Sequence, residues 1–197
     1  DMHAQLARQH ALVGEDPGST QLLYLPYLNP PLLALALAPI ASLPYVSAFY
    51  AFDVLMLLSF AGAILLLRPV LPRLARSRGA WAATVLLLWG WHPVSRTLFG
   101  GQNTVLTFLL LAGLYAAWKR EQSLLAGLFL GLLSYKPQYT LVFGLVFLLR
   151  REWRVLGVAT AVVGVHYALG ALVCGPKWPL AMLGTLEELR HTFLSLN

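Results

Sequence analysis

Long apolar segments with almost no charge constrain this sequence more than any other feature. Residues 48–67 and 155–173 are each long enough to cross a lipid bilayer, because about 20 apolar residues span a hydrocarbon core of about 30 Å. Charged residues make up only 11% of the chain, whereas a soluble domain carries about 25%. The sequence therefore predicts an integral membrane protein.

Shorter apolar segments add further predicted helices between these two spans. The first of them crosses if it extends to Ser95 or is shortened by a local kink, and the others need flanking residues to complete a span. These segments lie at 81–93, 104–118, 124–135 and 139–149. We therefore expect a polytopic protein whose connections alternate between the two membrane faces.

The basic residues divide the connections into two sets. One set is rich in cations and is expected to be cytoplasmic, because short loops that carry Lys and Arg are retained inside. Its members are Arg68, Arg73, Arg76, Arg78, Lys119, Arg120, Arg150, Arg151 and Arg154. The opposite set carries only Arg96, Lys136 and Lys177. The net charge of +6 forms no continuous basic face, so no nucleic-acid partner is expected.

A short segment at 32–43 lies between Pro31 and Pro44 and reaches only about 18 Å as a helix. A full crossing there would place the arginines of 68–78 outside, so we expect a re-entrant or interfacial half-helix. The predicted fold is all-α, a polytopic transmembrane helical bundle at 32–197 preceded by an external loop segment at 1–31. Since Asp1 is neither an initiator Met nor the start of a signal peptide, we expect an incomplete bundle from a longer protein.

Polar side chains concentrate in the external connections. Lys136 and Arg96 are not needed there for topology, so an anionic partner such as phosphate is expected. Gly100-Gly101 permits a tight turn before a helix whose N-terminal N–H groups attract anions. A second interpretation is that both cations snorkel to the lipid headgroups.

Other polar residues also have two interpretations. Gln102-Asn103 lines a binding cleft or caps the following helix, and His92 belongs to the same cleft or to an interfacial aromatic belt. Asp53 lies within a span, where a carboxylate faces the bundle interior or a water-filled cavity, or has a local hydrogen-bonded role. His166 and Tyr167 are typical of packing residues.

Cofactor chemistry has little support in this composition. Cys174 is the only cysteine, so neither an intrachain disulfide nor a cysteine-rich metal site is possible. No cluster with metal-ligand spacing is present. We predict no cofactor and no metal site, and the sequence does not support a divalent cation at the donor phosphate.

The order of several short motifs resembles family 87 glycosyltransferases, which are GT-C type membrane enzymes. The resemblance covers about Leu23 to Trp153. It is carried by Asn29-Pro30-Pro31-Leu32-Leu33, Ala38-Pro39-Ile40-Ala41-Ser42-Leu43-Pro44, Gly101-Gln102-Asn103, Leu125-Ala126-Gly127-Leu128, Lys136-Pro137 and Arg150-Arg151-Glu152-Trp153-Arg154.

This resemblance implies a hexosyltransferase that moves a sugar, with mannose expected, from a polyprenyl-phosphate donor to a lipid or glycan acceptor. Transfer would invert the sugar at the external face of a plasma membrane of the bacterial inner-membrane type. Lys136, Gln102 and Asn103 would line the cleft, with Arg96 and His92 as further substrate-binding candidates. The family's general-base aspartate is expected upstream of Asp1, so the catalytic residue is unknown here.

Two other functions remain open on the sequence alone. A transporter or lipid flippase would use an interrupted helix such as 32–43, but it calls for polar residues at mid-membrane depth, where Asp53 is the main one. A structural subunit of a membrane complex would use Lys136, Arg96 and Gln102-Asn103 only as anchors and caps. Loss of sugar transfer on substitution of Lys136 and Gln102 separates the enzyme from both.

Overall fold

A computed structural model describes residues 30–184. Within this range the chain forms helices and no β-strand, which confirms the all-α prediction there. The α-helices are α1 (Pro31–Ala41), α2 (Tyr45–Leu67), α3 (Pro72–Ala75), α4 (Arg78–Trp89), α5 (His92–Gly100), α6 (Thr104–Lys119), α7 (Ser123–Leu132), α8 (Pro137–Leu149) and α9 (Trp153–Cys174). Short 3-10 turns lie at Arg68–Val70 and Leu133–Tyr135.

The predictions for the two ends of the chain fall outside these residues. Residues 1–29 of the external loop segment predicted at 1–31, Asn29 among them, and residues 185–197 are not among those described. The chain divides into one unit at Asn29–Ala181 and another made of Asp1–Leu28 and Met182–Asn197. All contacts given below lie within the first unit.

Two helices confirm the long predicted segments. The stretch Tyr45–Val70, which is α2 with the turn after it, has 26 residues, and α9 has 22. Both are long and apolar enough to cross a membrane. Their exposed side chains are large and apolar, such as Leu172 at 82% exposure, as expected for a surface that meets lipid.

The half-helix prediction is confirmed in length. Helix α1 has 11 residues and begins with Pro31, which suits the first helical turn because its missing N–H has no partner there. The helix ends at Ala41 and is followed by Ser42, whose hydroxyl donates to the carbonyl of Pro39 at 2.7 Å. Pro44 then disfavours helical geometry in the residue before it. The side chain of Leu33 is buried against the bundle.

The predicted segment 81–93 is wrong at its C-terminal end. Helix α4 stops at Trp89 and has 12 residues, because Gly90 is a poor helix former and caps it. A new helix, α5, begins at His92 with Pro93 in its first turn, where proline is tolerated. His92 and Arg96 therefore lie on a helix and not in the loop that the sequence predicted.

Helices α7 and α9 run parallel and approach closely. A Cβ atom at Gly127 would lie 2.6 Å from the Val155 carbonyl oxygen, and one at Gly131 would lie 2.5 Å from Val162 Cβ. The spacing of four residues places both glycines on one face of α7. Small residues at this spacing are typical of close helix packing in membranes.

Helix α6 packs between α7 and α2. It runs antiparallel to α7, since Gly113 meets Phe129 and Thr107 meets Tyr135. It runs parallel to α2, since Phe108 packs on Phe60 while Val105 shares a core cluster with Met56.

These directions give the bundle two distinct ends. We call the end at residues 101–104 and 134–137 the motif end, and the end at 119–123 and 149–154 the arginine end. Helix α2 begins toward the motif end and finishes toward the arginine end, because it runs parallel to α6. The cations of 68–78 follow its finish.

Candidate functional site

Tyr135 joins the two predicted motifs at the motif end. Its side chain is buried, and its hydroxyl lies 2.6 Å from the hydroxyl of Thr107. One hydroxyl proton lies between the two side chains, and the other is donated to the main-chain carbonyl oxygen of Asn103, which lies 3.5 Å from the Tyr135 hydroxyl and 3.3 Å from the Thr107 hydroxyl. The segment before Lys136 is thereby tied to the segment that contains Gln102. The structure brings these two predicted parts of the cleft together.

Lys136 is half-buried between the turn Leu133–Tyr135 and helix α8. Its Nζ lies 5.7 Å from the centroid of the Tyr135 ring, a cation–π distance. Burial lowers the pKa of Lys136 from its ordinary value of 10.5, because desolvation disfavours the charged form. A bound anion would offset this desolvation, because an opposite charge nearby favours the charged form of the amine.

The Gly-Gln-Asn segment presents its amides without using them to cap the helix. Gly101 adopts the left-handed conformation, with φ of 62°, which glycine reaches at no steric cost. Asn103 occupies the N-cap position of α6, but its side chain makes no capping hydrogen bond. Gln102 is exposed. The capping interpretation therefore lacks the bond that it requires.

Helix α5 carries the two weaker candidates at the same end of the bundle. Its Val94 packs in one core cluster with Met56 and Val105. His92 and Arg96 are exposed, and the Arg96 guanidinium folds back toward Gly100 on its own helix. Among residues 30–184, no hydrogen bond joins either side chain to Lys136, and their place in the cleft stays a prediction.

A buried hydrogen bond that sequence reasoning missed lies beside the turn. His166, predicted to be a packing residue, is buried in α9 and its Nδ1 lies 2.7 Å from Ser134 Oγ. Thr107 and Tyr135 were missed as well. Polar residues within apolar spans are costly, and that signal marks His166 and Thr107.

Asp53 lies on the face of α2 that carries Met56 and Phe60, both buried in the core. Its Oδ1 is buried and has no hydrogen-bond partner in the described part of the chain. The local hydrogen-bonded role considered for this carboxylate is therefore not supported at that atom. Within the same residues, no three His, Cys, Asp or Glu side chains gather as a metal site would require.

Hollows lie at both ends of the bundle. At the motif end, a cavity of about 170 Å³ between α1 and α6 is lined by leucines, Ala36 and Tyr135. At the arginine end, a hollow of about 490 Å³ has Lys119 and Arg150 beside Glu121 and Glu152. The two carboxylates there would repel a bound anion, whereas burial is the cause that lowers the pKa of Lys136.

Comparison with known families identifies the chain. A model described as glycosyltransferase family 87 matches residues 27–195. The chain belongs to glycosyltransferase family 87. A family 87 glycosyltransferase is a membrane enzyme that takes a sugar donor and an acceptor, and two apolar helices of this member are long enough to cross a membrane. Comparison with curated proteins and with solved structures gave no significant match.

Proposed function

We propose that this family 87 glycosyltransferase transfers a hexose from a polyprenyl-phosphate donor to a lipid or glycan acceptor, and that the hexose is mannose. Transfer takes place at the external face of the plasma membrane, with the motif end outside. The observation that supports the proposal is the link from Tyr135, the residue before Lys136, to Thr107 and the Asn103 carbonyl. Lys136, Gln102 and Asn103 form the cleft, and Arg96 and His92 are further substrate-binding candidates on α5.

Helix directions support a multi-pass arrangement with this sidedness. Lys119 ends α6 and Arg154 begins α9 at the arginine end, and Arg68 follows α2 toward the same end. Cations gathered at one end of a bundle mark the cytoplasmic face. Helix α1 is too short to cross and lies beside α6 and Tyr135, as suits a re-entrant segment at the opposite face.

The chemistry assigned to Lys136 follows from charge. The acceptor oxygen attacks the anomeric carbon, the bond from that carbon to the phosphate oxygen breaks, and the phosphate leaves with added negative charge. A cation fixed beside this phosphate stabilises that charge in the transition state. Because Lys136 is half-buried, its interaction with the phosphate is less screened by water. Gln102 and Asn103 supply amides for sugar hydroxyls.

Two points complete the proposed mechanism. The acceptor proton needs a general base, for which the family resemblance implies an aspartate. The apolar cavity beside Tyr135 supports a donor with an isoprenoid chain, since its leucine lining suits hydrocarbon. A nucleotide sugar would require polar groups in that position.

The test replaces Lys136 in the full-length protein. We expect Lys136→Met to reduce transfer from polyprenyl-phosphate mannose at least about tenfold, because a hydrogen bond to a charged group is lost. Gln102→Ala should reduce it less. The matched control is Lys177→Met, since Lys177 is an exposed lysine that follows the finish of α9, and it should transfer normally. Equal transfer by Lys136→Met and Lys177→Met, with normal membrane insertion, would refute the assignment.

A further inference from the structure

His166 contacts the turn that precedes Lys136, through Ser134 and not through Tyr135. The imidazole is only 4% exposed, although most of the side chains of α9 are apolar. Its Nδ1 meets Ser134 Oγ at 2.7 Å. Ser134 lies within the 3-10 turn Leu133–Tyr135, two residues before Lys136.

The other imidazole nitrogen shows that this histidine is not explained by packing. Nε2 is buried and has no hydrogen-bond partner among the described residues. The ring stacks on Trp178, with centroids 6.2 Å apart. Buried polar atoms are normally paired, so an unpaired one calls for an explanation. A leucine would fill the site without that cost, and the bond to Ser134 is what a leucine cannot supply.

Two bonds therefore hold the turn between two helices. Tyr135 ties it to α6 through Thr107 and the Asn103 carbonyl, and Ser134 ties it to α9 through His166. The N–H of Lys136 donates to the carbonyl of Leu133 at 2.8 Å and closes the turn. These bonds together restrain the backbone at Lys136.

We propose that His166 is a positioning residue for sugar transfer, which sets the place of the Lys136 amine through its Nδ1 bond to Ser134. This inference rests on the proposed role of Lys136. His166 itself does not touch the substrate, because its imidazole is buried. Its substitution should weaken donor binding in the same way as a displacement of Lys136.

A pair of conservative variants can distinguish the role of His166 Nδ1 from that of Nε2. Asparagine carries an amide atom at the place of Nδ1 and can still bond Ser134, whereas glutamine carries it at the place of Nε2 and cannot. We expect His166→Gln and Ser134→Ala to raise the KM for polyprenyl-phosphate mannose about five- to tenfold, as one lost hydrogen bond allows. His166→Asn should remain within about twofold of the wild type.

A control variant tests whether any polar change on α9 has this effect. Tyr167 donates to the carbonyl of Pro176 at 3.0 Å, and among the described residues no hydrogen bond joins its side chain to the turn. Tyr167→Phe should keep the wild-type KM. If His166→Gln and Ser134→Ala lower thermal stability in detergent and leave the donor KM unchanged, the histidine is structural and the inference is wrong. Ser134→Ala removes one oxygen and decides the matter if His166→Gln does not fold.

Coupling to Lys136 separates this inference from the proposed function. In a Lys136→Met background, His166→Gln should cause no further loss, because both act through one cation. Normal transfer by Lys136→Met overturns the site assignment and this inference together. Impaired transfer by Lys136→Met, with normal KM in His166→Gln and Ser134→Ala, overturns this inference alone.

Discussion

The motif end and the arginine end of the bundle both consist of short connections between helices, but different groups hold them. At the motif end, side-chain bonds between helices fix the connection, through Tyr135 to Thr107 and Ser134 to His166. At the arginine end, the connections at 120–122 and 150–152 are closed by main-chain hydrogen bonds. The first arrangement depends on particular side chains, and the second depends on backbone geometry.

The two turns at the arginine end repeat one motif. The N–H of Gln122 donates to the carbonyl of Ala117, and the N–H of Glu152 donates to that of Phe147. The residue before each donor is left-handed, with φ of 59° at Glu121 and 58° at Arg151. This pattern is the Schellman motif, which usually has glycine at the left-handed position.

The comparison suggests that the two ends face different requirements. A turn that only reverses the chain and retains cations inside needs no specific side-chain contacts, because the positive-inside effect counts charge. A turn that presents one cation to a substrate needs a fixed position, because catalysis depends on placement to a fraction of an ångström. The distribution of side-chain bonds in this structure follows that division.

Chemical labelling should show the largest difference between the two ends, since a site on one membrane face either reacts with an impermeant reagent or does not. In a Cys174→Ser background, which removes the only native thiol, we expect Gln102→Cys and Gln138→Cys to react with an impermeant reagent on intact cells. Arg120→Cys should react only after the membrane is opened. Gel shift of the labelled protein measures both. Reaction of position 120 together with 102 and 138 on intact cells would remove the proposed sidedness.

A substitution at the close approach of α7 and α9 should have the next largest effect. A methyl group at Gly131 would lie 2.5 Å from Val162 Cβ, so Gly131→Ala must push the helices apart. We expect a loss of about 1–3 kcal/mol in the free energy of unfolding, as for other overpacked sites. The separation should also break the Ser134–His166 bond and reduce transfer. Thermal unfolding in detergent and donor KM measure the two effects.

Gly164 provides the matched control on the same helix as Val162. Nothing lies within 4 Å of a Cβ placed there, so Gly164→Ala should leave stability equal or raise it by up to about 1 kcal/mol. If Gly131→Ala proves as stable as Gly164→Ala, the close packing of α7 on α9 is not present in the membrane.

The helices were largely predictable from the sequence, because apolar segments and prolines act locally. Segments 104–118 and 139–149 match α6 and α8 within two residues at each end. The break at Gly90 was missed, since Trp89 and Trp91 continue the apolar pattern through it. The distribution of basic residues also predicted that the Gly-Gln-Asn and Lys-Pro segments lie at the same membrane face.

The bonds between helices could not be predicted in this way. Whether Ser134 meets His166 depends on the register of α7 against α9, and that register is set where Gly127 and Gly131 admit Val155 and Val162. The residues around Ser134 in the sequence do not by themselves predict its contact with His166. The sequence therefore predicts which groups share an end of the bundle and leaves their pairing to the packed structure.

The smallest expected effect is a change in stability at the arginine end. Arg151 is left-handed, which costs a non-glycine residue about 1–2 kcal/mol, so Arg151→Gly should stabilise the protein by about 0.5 kcal/mol after the entropy of glycine is subtracted. Transfer should not change, because this turn lies far along α8 and α9 from Lys136. The adjacent Arg150 is right-handed and its guanidinium lies 4.8 Å from the Trp118 ring centroid.

Arg150→Gly should therefore destabilise the protein, since it loses a cation–π contact and gains no backbone relief. Opposite shifts in the thermal midpoint of the two variants, measured in one detergent, would show that backbone conformation governs this turn. Shifts in the same direction would show that charge or side-chain contacts govern it. In that case both ends of the bundle would be held by side chains, and the difference between them would lie only in what the motif end binds.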